Sequence, residues 1–172
     1  MSEEEMYSEE RIVCPVCGRE AIYREKRTYT KLGLVEIRSI ICNFCGYRHI
    51  DEILVQPREY GPEEIIIDIS GEADLRRYIF KSRYATIEFP DLGIEIIPGP
   101  DARDEIYPIE GLLEKYIERI DASCQDSEDP VQCRVVVERL RRVLNGDEKI
   151  RIVIRDPSRF SRELVEYMKE VK

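Results

Sequence analysis

The first third of the chain alternates apolar and polar residues, as strands do when one face of a sheet is buried. Gly or Cys residues bound each alternating run, as expected of turns between strands. The pattern predicts three β-strands, at residues 21–30, 35–41 and 47–55. Residues 56–62 contain two prolines and one glycine and are therefore predicted to be a linker.

Short β-type runs continue after the linker. They are separated by Gly, Pro or Asp and lie at residues 64–70, 75–80, 84–89 and 93–99, with a further run at 149–157. Several short strands at this spacing are typical of a sandwich or a jelly-roll-like barrel. The pattern therefore predicts a mainly β body with helices over residues 59–172, preceded by a small domain over residues 11–58.

Helical periodicity interrupts the β-type runs. Apolar residues from Ile109 to Ile120 recur every three or four positions and form one continuous stripe. A second helix is predicted to begin at Pro130 and to end at Asn145 and Gly146. Together they predict a helical hairpin at about residues 109–145, inserted in the β domain. A C-terminal amphipathic helix is predicted from Arg162 to Val171, with Ser161 as its cap.

Composition limits the class of protein. The chain has 172 residues, of which 42% are hydrophobic, so it can form a core and is not disordered as a whole. No run approaches the roughly 18 apolar residues of a membrane span, and the first ten residues are acidic, unlike a secretory signal. We therefore expect a cytoplasmic protein with no membrane partner. Asn and Gln together number five among many charged residues, which is typical of thermophile proteins.

Charge is unevenly distributed along the chain. Residues 1–10 hold five Glu and no Lys or Arg, and we expect them to be an acidic, flexible N-terminus. Residues 11–58 hold nine basic and five acidic side chains, giving +4, whereas the remaining 114 residues carry -8. A basic head and an acidic body present complementary fields to one partner. We expect the head and the hairpin to bind it, with Arg24, Arg27, Arg38, Arg76, Arg77 and Lys81 as candidate contacts. For Arg76, Arg77, Lys81 and Arg83, ordinary ion pairs with neighbouring acids are the alternative.

Four cysteines form two knuckles of the same design. Cys14 and Cys17 lie in C-P-V-C-G, and Cys42 and Cys45 lie in C-N-F-C-G, 24 residues later. Two such pairs around a predicted β-hairpin are a specific signal for a zinc ribbon. Because all four positions are cysteine, the coordination shell is closed, which predicts one structural Zn²⁺. The head is too small to bury much surface, so we expect it to unfold without the metal.

Disulfides and a redox C-x-x-C are the alternatives for the knuckles. Disulfides are disfavoured in the cytosol, although hyperthermophiles are an exception. A redox motif normally occurs once, at a helix start, rather than twice around strands. Cys124 and Cys133 are a separate case, because they lie at the facing ends of the two predicted helices. A disulfide between them and two separate thiols both remain open.

Catalysis is not expected from this sequence. The chain has one histidine, His49, and no Ser-His-Asp array, phosphate loop or G-x-G-x-x-G. A jelly roll with a catalytic metal generally uses histidine ligands, and the body has none. We therefore predict that the protein is not an enzyme and has no small-molecule substrate.

The sequence resembles the ZPR-type zinc-finger protein family over about residues 12–155. The resemblance runs from CPVCG through SIICNFCGYRHIDEI and DLRRYIFKSRYATIEFPDLGIEIIPG to IEGLL. Its most specific segments are the two knuckles, D-L-x-R-x-x-x-K-S at residues 74–82, I-x-x-P-x-L near residues 89–92 and E-G-L-L at residues 110–113. The terminal segment after Pro157 lies outside the match.

The resemblance implies a four-cysteine zinc finger followed by a double-stranded β-helix domain with an inserted helical hairpin. Eukaryotic members carry this module twice, so a single module looks like an archaeal member. The eukaryotic proteins bind the translation elongation GTPase and assist its folding. The resemblance thus favours a zinc-dependent protein-binding module, a folding or assembly factor for that GTPase.

The alternative function is a nucleic-acid-binding zinc ribbon in transcription or translation. The basic head and the aromatic residues Tyr23, Tyr29, Phe44 and Tyr47 favour it, since such rings stack on bases. Four thiolates on one Zn²⁺ carry a net -2, however, and lower the charge of the head, while the acidic body repels phosphate. Nucleic acid is therefore the less favoured partner.

Overall fold

The computed structural model of the protein describes residues 6–164. The chain divides into two compact units, residues 1–60 and residues 61–172, and the division falls within the predicted linker. None of the helices among the described residues combines the length and the apolar character that crossing a bilayer requires.

Unit 1 is a four-stranded antiparallel sheet. Its strands follow the order of the chain and are β1 Tyr7–Val13, β2 Glu20–Tyr29, β3 Gly33–Ile41 and β4 Arg48–Pro57. The last three correspond to the strands that alternation predicts. Their registers place Arg24 opposite Ser39 and Arg38 opposite both Glu25 and Asp51, so charged side chains neighbour one another along the sheet.

The acidic N-terminus differs from its expectation. Residues 7–10 were expected to be flexible, but they belong to β1, where Tyr7 pairs with Lys26 and Glu10 with Tyr23. The alternation rule misses this strand because six of its seven residues are exposed, and because β1 is an edge strand, where charged side chains are common. Basic side chains of β2 lie beside its acids.

Unit 2 contains two antiparallel sheets, as expected of a jelly-roll-like body. One has the strand order β5-β10-β7-β8 and the other β11-β6-β9. Their bounds are β5 Glu64–Ile69, β6 Tyr78–Lys81, β7 Thr86–Phe89, β8 Ile94–Ile96, β9 Glu105–Pro108, β10 Ile150–Arg155 and β11 Arg162–Glu163. In β5, Ile65, Ile67 and Ile69 are buried, while Glu64 and Asp68 face solvent, which is the period of two that the sequence shows.

The predicted helical hairpin is present. Helix α2 spans Ile109–Ser123 and helix α3 spans Pro130–Leu144, and strand β10 follows them in the β5-β10-β7-β8 sheet. Helix α3 begins at Pro130, one residue after Asp129. The Asp129 carboxylate accepts a hydrogen bond from the Gln132 amide at 3.0 Å and so caps the helix. The hairpin is therefore an insertion within the β domain.

A single core joins both sheets and the hairpin of unit 2. Residues with no exposed surface come from β5, β6, β7, β10, α2 and α3: Ile67, Ile79, Ile87, Phe89, Leu112, Leu113, Leu140, Ile152 and Ile154. The Phe89 ring meets the Tyr116 ring edge-on at 6.3 Å between centroids. Burial of this kind contributes about 1.5–3 kcal/mol per large apolar side chain, so the core fixes the hairpin against the sheets.

Two short elements of unit 2 were not expected. Residues 75–80 were predicted to be a strand throughout, but Leu75 ends a short helix, α1 Glu72–Leu75, before β6 begins. The Ser70 amide donates to Asp74 at 2.9 Å, so a side chain holds this turn where periodicity gave no sign of it. Strand β9 was missed because half-exposed residues of mixed character form it.

The predicted C-terminal helix does not begin at Arg162. Arg162 and Glu163 form β11, which pairs with Phe80 and Ile79 of β6. Ser161 does not cap a helix, because its hydroxyl donates to the Asp156 carboxylate at 2.6 Å. The remainder of that prediction, residues 165–172, lies outside the described residues.

A disulfide joins Cys124 and Cys133 at the mouth of the helical hairpin. It connects the end of α2 to the first turn of α3 across a sequence separation of 9 residues. Cys124 is buried in the core of unit 2 and Cys133 packs against that core. The bond thus joins the end of α2 to the start of α3 across the polar loop between them.

Removing this disulfide is expected to destabilise unit 2. A double variant, Cys124→Ser with Cys133→Ser, should lower the free energy of unfolding by about 2–3 kcal/mol, because the short closed loop restricts the unfolded chain. Urea unfolding of both proteins checks this. The difference should vanish when the natural chain is reduced, and equal urea midpoints for the double variant and the oxidised chain would contradict the prediction.

Candidate metal centre

The two cysteine knuckles have matching backbone geometry. The Cys14 amide donates to the Arg19 carbonyl at 2.7 Å, and the Cys42 amide donates to the Tyr47 carbonyl at 2.9 Å. Gly18 and Gly46 have φ values of 70° and 75°, a left-handed conformation that glycine adopts without strain. Their amides donate to the carbonyls of Cys14 and Cys42, both at 3.0 Å, and close each turn.

The four thiols converge on one point. Their sulfur atoms all lie within 4.8 Å of one another, with 3.7 Å between Cys14 and Cys45 and 3.6 Å between Cys17 and Cys42. Zn–S bonds of about 2.3 Å in a tetrahedron place the sulfurs roughly 3.8 Å apart. The residues present therefore fit a tetrahedral zinc ion, and His49 is not among the ligand set.

Backbone amides favour a thiolate at one of these positions. Amides of Cys45 and Phe44 donate to the Cys42 sulfur and, against the effect of burial, lower the pKa of Cys42 to about 6. At Cys45 the Tyr47 amide also lowers the pKa, but burial and the neighbouring thiols outweigh it and raise the pKa to about 12. Four sulfurs this close do not all ionise unless a cation neutralises them, which is the chemistry that a bound zinc supplies.

Unit 1 has little other core around the cluster. Its compact apolar cluster consists of Cys14, Ala21 and Cys42, with Ile12, Ile40 and Tyr47 packed against it. Cys17 and Cys45 are exposed, so half of the ligand set lies on the surface. The β2-β3 ladder joins the strands next to the knuckles, and because few apolar side chains are buried here, a metal ion would add the main interaction between the knuckle loops themselves.

Each knuckle presents an exposed apolar side chain. Val16 and Phe44 occupy equivalent positions, one residue before the second cysteine, and are 65% and 63% exposed. The Arg19 guanidinium of the first knuckle lies 5.1 Å from the centre of the Phe44 ring of the second. We refer to Val16, Phe44 and Arg19 as the knuckle tip. No motif in the sequence singled out Val16 or Arg19, and Phe44 was expected only to stack on bases.

The predicted basic residues of unit 1 are paired with acids. Arg24 contacts Glu9 at 2.8 Å, while Arg27 and Arg38 contact the two oxygens of Glu36 at 2.7 and 2.6 Å. Burial raises the pKa of Glu36, but the two guanidinium groups outweigh it and keep that pKa below its usual value. These three arginines therefore form an ion-pair network on the sheet rather than a free basic patch.

The predicted basic residues of unit 2 are also engaged. Arg76 pairs with Glu72, and Arg77 donates to Glu163 at 2.9 Å and lies 3.6 Å from Asp74. Lys81 is 5% exposed, and its ammonium donates to the Ser82 carbonyl at 3.2 Å. A buried side chain cannot contact a protein partner at the surface, so the selection of Lys81 as a partner contact is wrong.

A buried carboxylate organises the segment that follows β10. Asp156 is 1% exposed and accepts hydrogen bonds from three serines: the Ser82 hydroxyl at 2.8 Å, the Ser161 amide and hydroxyl at 2.7 and 2.6 Å, and the Ser158 amide and hydroxyl at 2.9 and 2.5 Å. Burial raises the pKa of Asp156, but these donors hold the pKa below its usual value. This turn was not among the expectations, although the spacing D-x-S-x-x-S at residues 156–161 signals it.

The sequence of unit 2 matches a known domain family. The sequence model of the ZPR1 jelly-roll domain matches residues 73–167, more than half of the chain. The chain belongs to the ZPR1 jelly-roll domain family. The match covers the hairpin and most strands of unit 2, so the mainly β body with an inserted hairpin is the ZPR1 jelly roll.

Similar proteins extend the relationship beyond the jelly roll, because the longest of these alignments covers more of the chain than unit 2 holds. A ZPR1-like protein of Methanocaldococcus jannaschii is 28% identical over 88% of this chain and 79% of its own length, and one of Pyrococcus horikoshii is 30% identical over 80% and 62%. The zinc finger protein ZPR1 homolog of Caenorhabditis elegans is 34% identical over 60% of this chain, and the zinc finger chaperone zpr1 of Schizosaccharomyces pombe is 28% identical over 62%. The alignments span 23% of each eukaryotic protein's length.

Proposed function

We propose that this chain is a zinc-dependent protein-binding module that acts as a folding or assembly factor, with the translation elongation GTPase as its partner. The knuckle tip carries this proposal. Val16 and Phe44 are exposed apolar side chains on the two loops that supply the cysteine cluster. A bound zinc would thereby hold an apolar contact surface in one shape, and preorganised aromatic and arginine side chains are typical binding hot spots.

Charge pairing in unit 1 weighs against the nucleic-acid alternative. Affinity for phosphate requires several lysines or arginines that act together. Arg24, Arg27 and Arg38 instead face Glu9 and Glu36 on the same sheet, so binding a phosphate would require breaking those contacts. The name of the fission yeast relative includes the word chaperone, which supports a protein partner. The chain would then act by binding and not as an enzyme, and the cytoplasm is its proposed location.

The test is direct binding of the zinc-loaded full chain to the host's elongation GTPase in its GDP and GTP forms. We expect Phe44→Ser to weaken binding at least tenfold, as hot-spot truncation does. Tyr29→Ser is the matched control, because Tyr29 is an exposed ring of unit 1 outside the knuckles, at 57% exposure against 63% for Phe44. Equal losses in both variants, no binding of either nucleotide form, or recovery of RNA in place of the GTPase would overturn the proposal.

A further inference from the structure

A cavity of about 380 Å³ lies in unit 2 between the sheet that contains β6 and β9, helix α2, and the loop that follows β8. Its polar lining is cationic. Four basic side chains contribute to it, Lys81, Arg103, Lys115 and Arg119, against two acidic ones, Asp101 and Glu105. The chain as a whole carries a net charge of -9, so an excess of two positive charges around one cavity runs against its composition.

The ion pair within the lining leaves Lys81 and Arg119 without an acidic partner among residues 6–164. Lys115 is held by both oxygens of Glu105, at 2.7 and 2.9 Å, and by the Tyr107 hydroxyl. That pairing occupies the Glu105 carboxylate, which lies opposite Lys81 in the β6-β9 register. Lys81 has one hydrogen-bond acceptor among residues 6–164, the Ser82 carbonyl, and an ammonium has three donors.

Two further donors of the cavity have no acceptor. Arg119 makes no hydrogen bond or ion pair with any residue that the structure describes, and it lies one turn after Lys115 on α2. Tyr116 is 4% exposed, and its hydroxyl likewise has no hydrogen-bond partner in the described part of the chain. Burial raises the pKa of Tyr116 to about 12, so the phenol keeps its proton and remains a donor.

The buried ammonium is the costliest of these groups. Burial lowers the pKa of Lys81; the negative charges of Glu105 and Asp104 oppose this effect, and the positive charges of Lys115 and Arg119 add to it. A lysine buried beside other cations is retained at a cost in stability unless an anion neutralises it. Lys81, Tyr116 and Arg119 thus bring hydrogen-bond donors that lack acceptors among the described residues to the lining of one cavity.

From these observations we infer that the cavity binds a small molecule that carries a phosphate group. A dianion matches the positive charges of Lys81 and Arg119, and these two side chains and Tyr116 supply its hydrogen bonds. Ala85, Ile96, Ile97 and two prolines form the remaining wall, and a cavity of about 380 Å³ has the size of small-molecule sites. The ligand is therefore a phosphate ester with an apolar part, and the site is independent of the knuckle tip.

Phosphate binding can be measured by NMR titration of the zinc-loaded full chain at constant ionic strength. Inorganic phosphate, phenyl phosphate and benzoate are the three probes. We expect saturable shifts at the amides of the cavity lining, tightest with phenyl phosphate and weakest with benzoate. Absence of saturation by either phosphate, shifts spread over the whole surface, benzoate binding as tightly as phenyl phosphate, or no gain of phenyl phosphate over inorganic phosphate would overturn the inference.

Single-residue variants distinguish binding in the cavity from non-specific attraction between charges. Lys81→Met keeps the side-chain length and removes the charge, and we expect it to weaken phosphate binding about tenfold or more, as the loss of a charged hydrogen bond does. Arg119→Gln should weaken it several-fold. Arg134→Gln is the control for the same change of charge, because Arg134 is an exposed α3 residue outside the cavity. Equal effects of Arg119→Gln and Arg134→Gln, or unchanged affinity in Lys81→Met, would contradict a built site.

Discussion

Replacing Cys42 with serine is expected to abolish zinc binding and to unfold unit 1 while unit 2 stays folded. Cys42 is the most buried ligand of the cluster, and its sulfur receives the amides that favour the thiolate. Structural zinc supplies about 10–16 kcal/mol of apparent binding free energy in small domains, far more than the few apolar side chains around Cys14 and Ala21 can replace. Metal analysis together with an amide NMR spectrum measures both effects in one sample.

The control for this variant is the double change Cys124→Ser with Cys133→Ser. It also removes cysteines, but from the disulfide of unit 2, and it should retain a full complement of zinc and the resonances of β2, β3 and β4. A chelator added to the natural chain should reproduce the Cys42→Ser spectrum. Retention of dispersed resonances for these three strands after complete removal of the metal would show that the cluster is not what stabilises unit 1.

Replacing Asp156 with alanine is expected to lower the free energy of unfolding of unit 2 by about 3–5 kcal/mol. The change leaves the hydroxyls of Ser82 and Ser161 and the Ser161 amide buried without their acceptor, at about 1–3 kcal/mol for each unsatisfied group, offset in part by water that enters the space. Urea unfolding monitored at the β10 resonances reports on this unit. Asp147→Ala is the matched control, because Asp147 is exposed and far smaller losses are expected there.

The Asp156 carboxylate also makes the stability of unit 2 depend on pH. The hydrogen bonds to Asp156 depress its pKa in the folded chain, so its contribution to stability is complete above the ordinary value of about 3.9 and is lost as the pH falls through the depressed one. Between pH 4 and pH 2, roughly, the natural chain should therefore lose more stability than Asp156→Ala. An equal loss of stability in both proteins would show that other titratable groups cause the acid unfolding.

Periodicity and spacing predicted much of the fold and the ligand set. Ile65, Ile67 and Ile69 alternate and are buried, and the stripe from Ile109 to Ile120 forms α2. The two C-x-x-C-G knuckles required no tertiary information, because each turn is local and glycine marks it. These features were accessible from sequence since the interactions that form them lie within a few residues.

What the sequence did not show depends on distant partners. The basic residues of the head looked like a free patch because the pairing of Arg27 and Arg38 with Glu36 arises across strands. Lys81 looked like a surface residue because its burial is set by α2 and by the loop after β8. Strand β1 carries few apolar residues, and only its position beside β2 makes it a strand.

The arrangement of the six cysteines has a chemical consequence for biosynthesis. Six thiols in one chain can pair into three disulfides in 15 ways, and most of these would cross-link the two units. A metal ion that holds the four knuckle sulfurs acts as a protecting group, because it withdraws them from oxidation and leaves only Cys124 and Cys133 to react. Metal binding before oxidation would therefore lead to a single disulfide product.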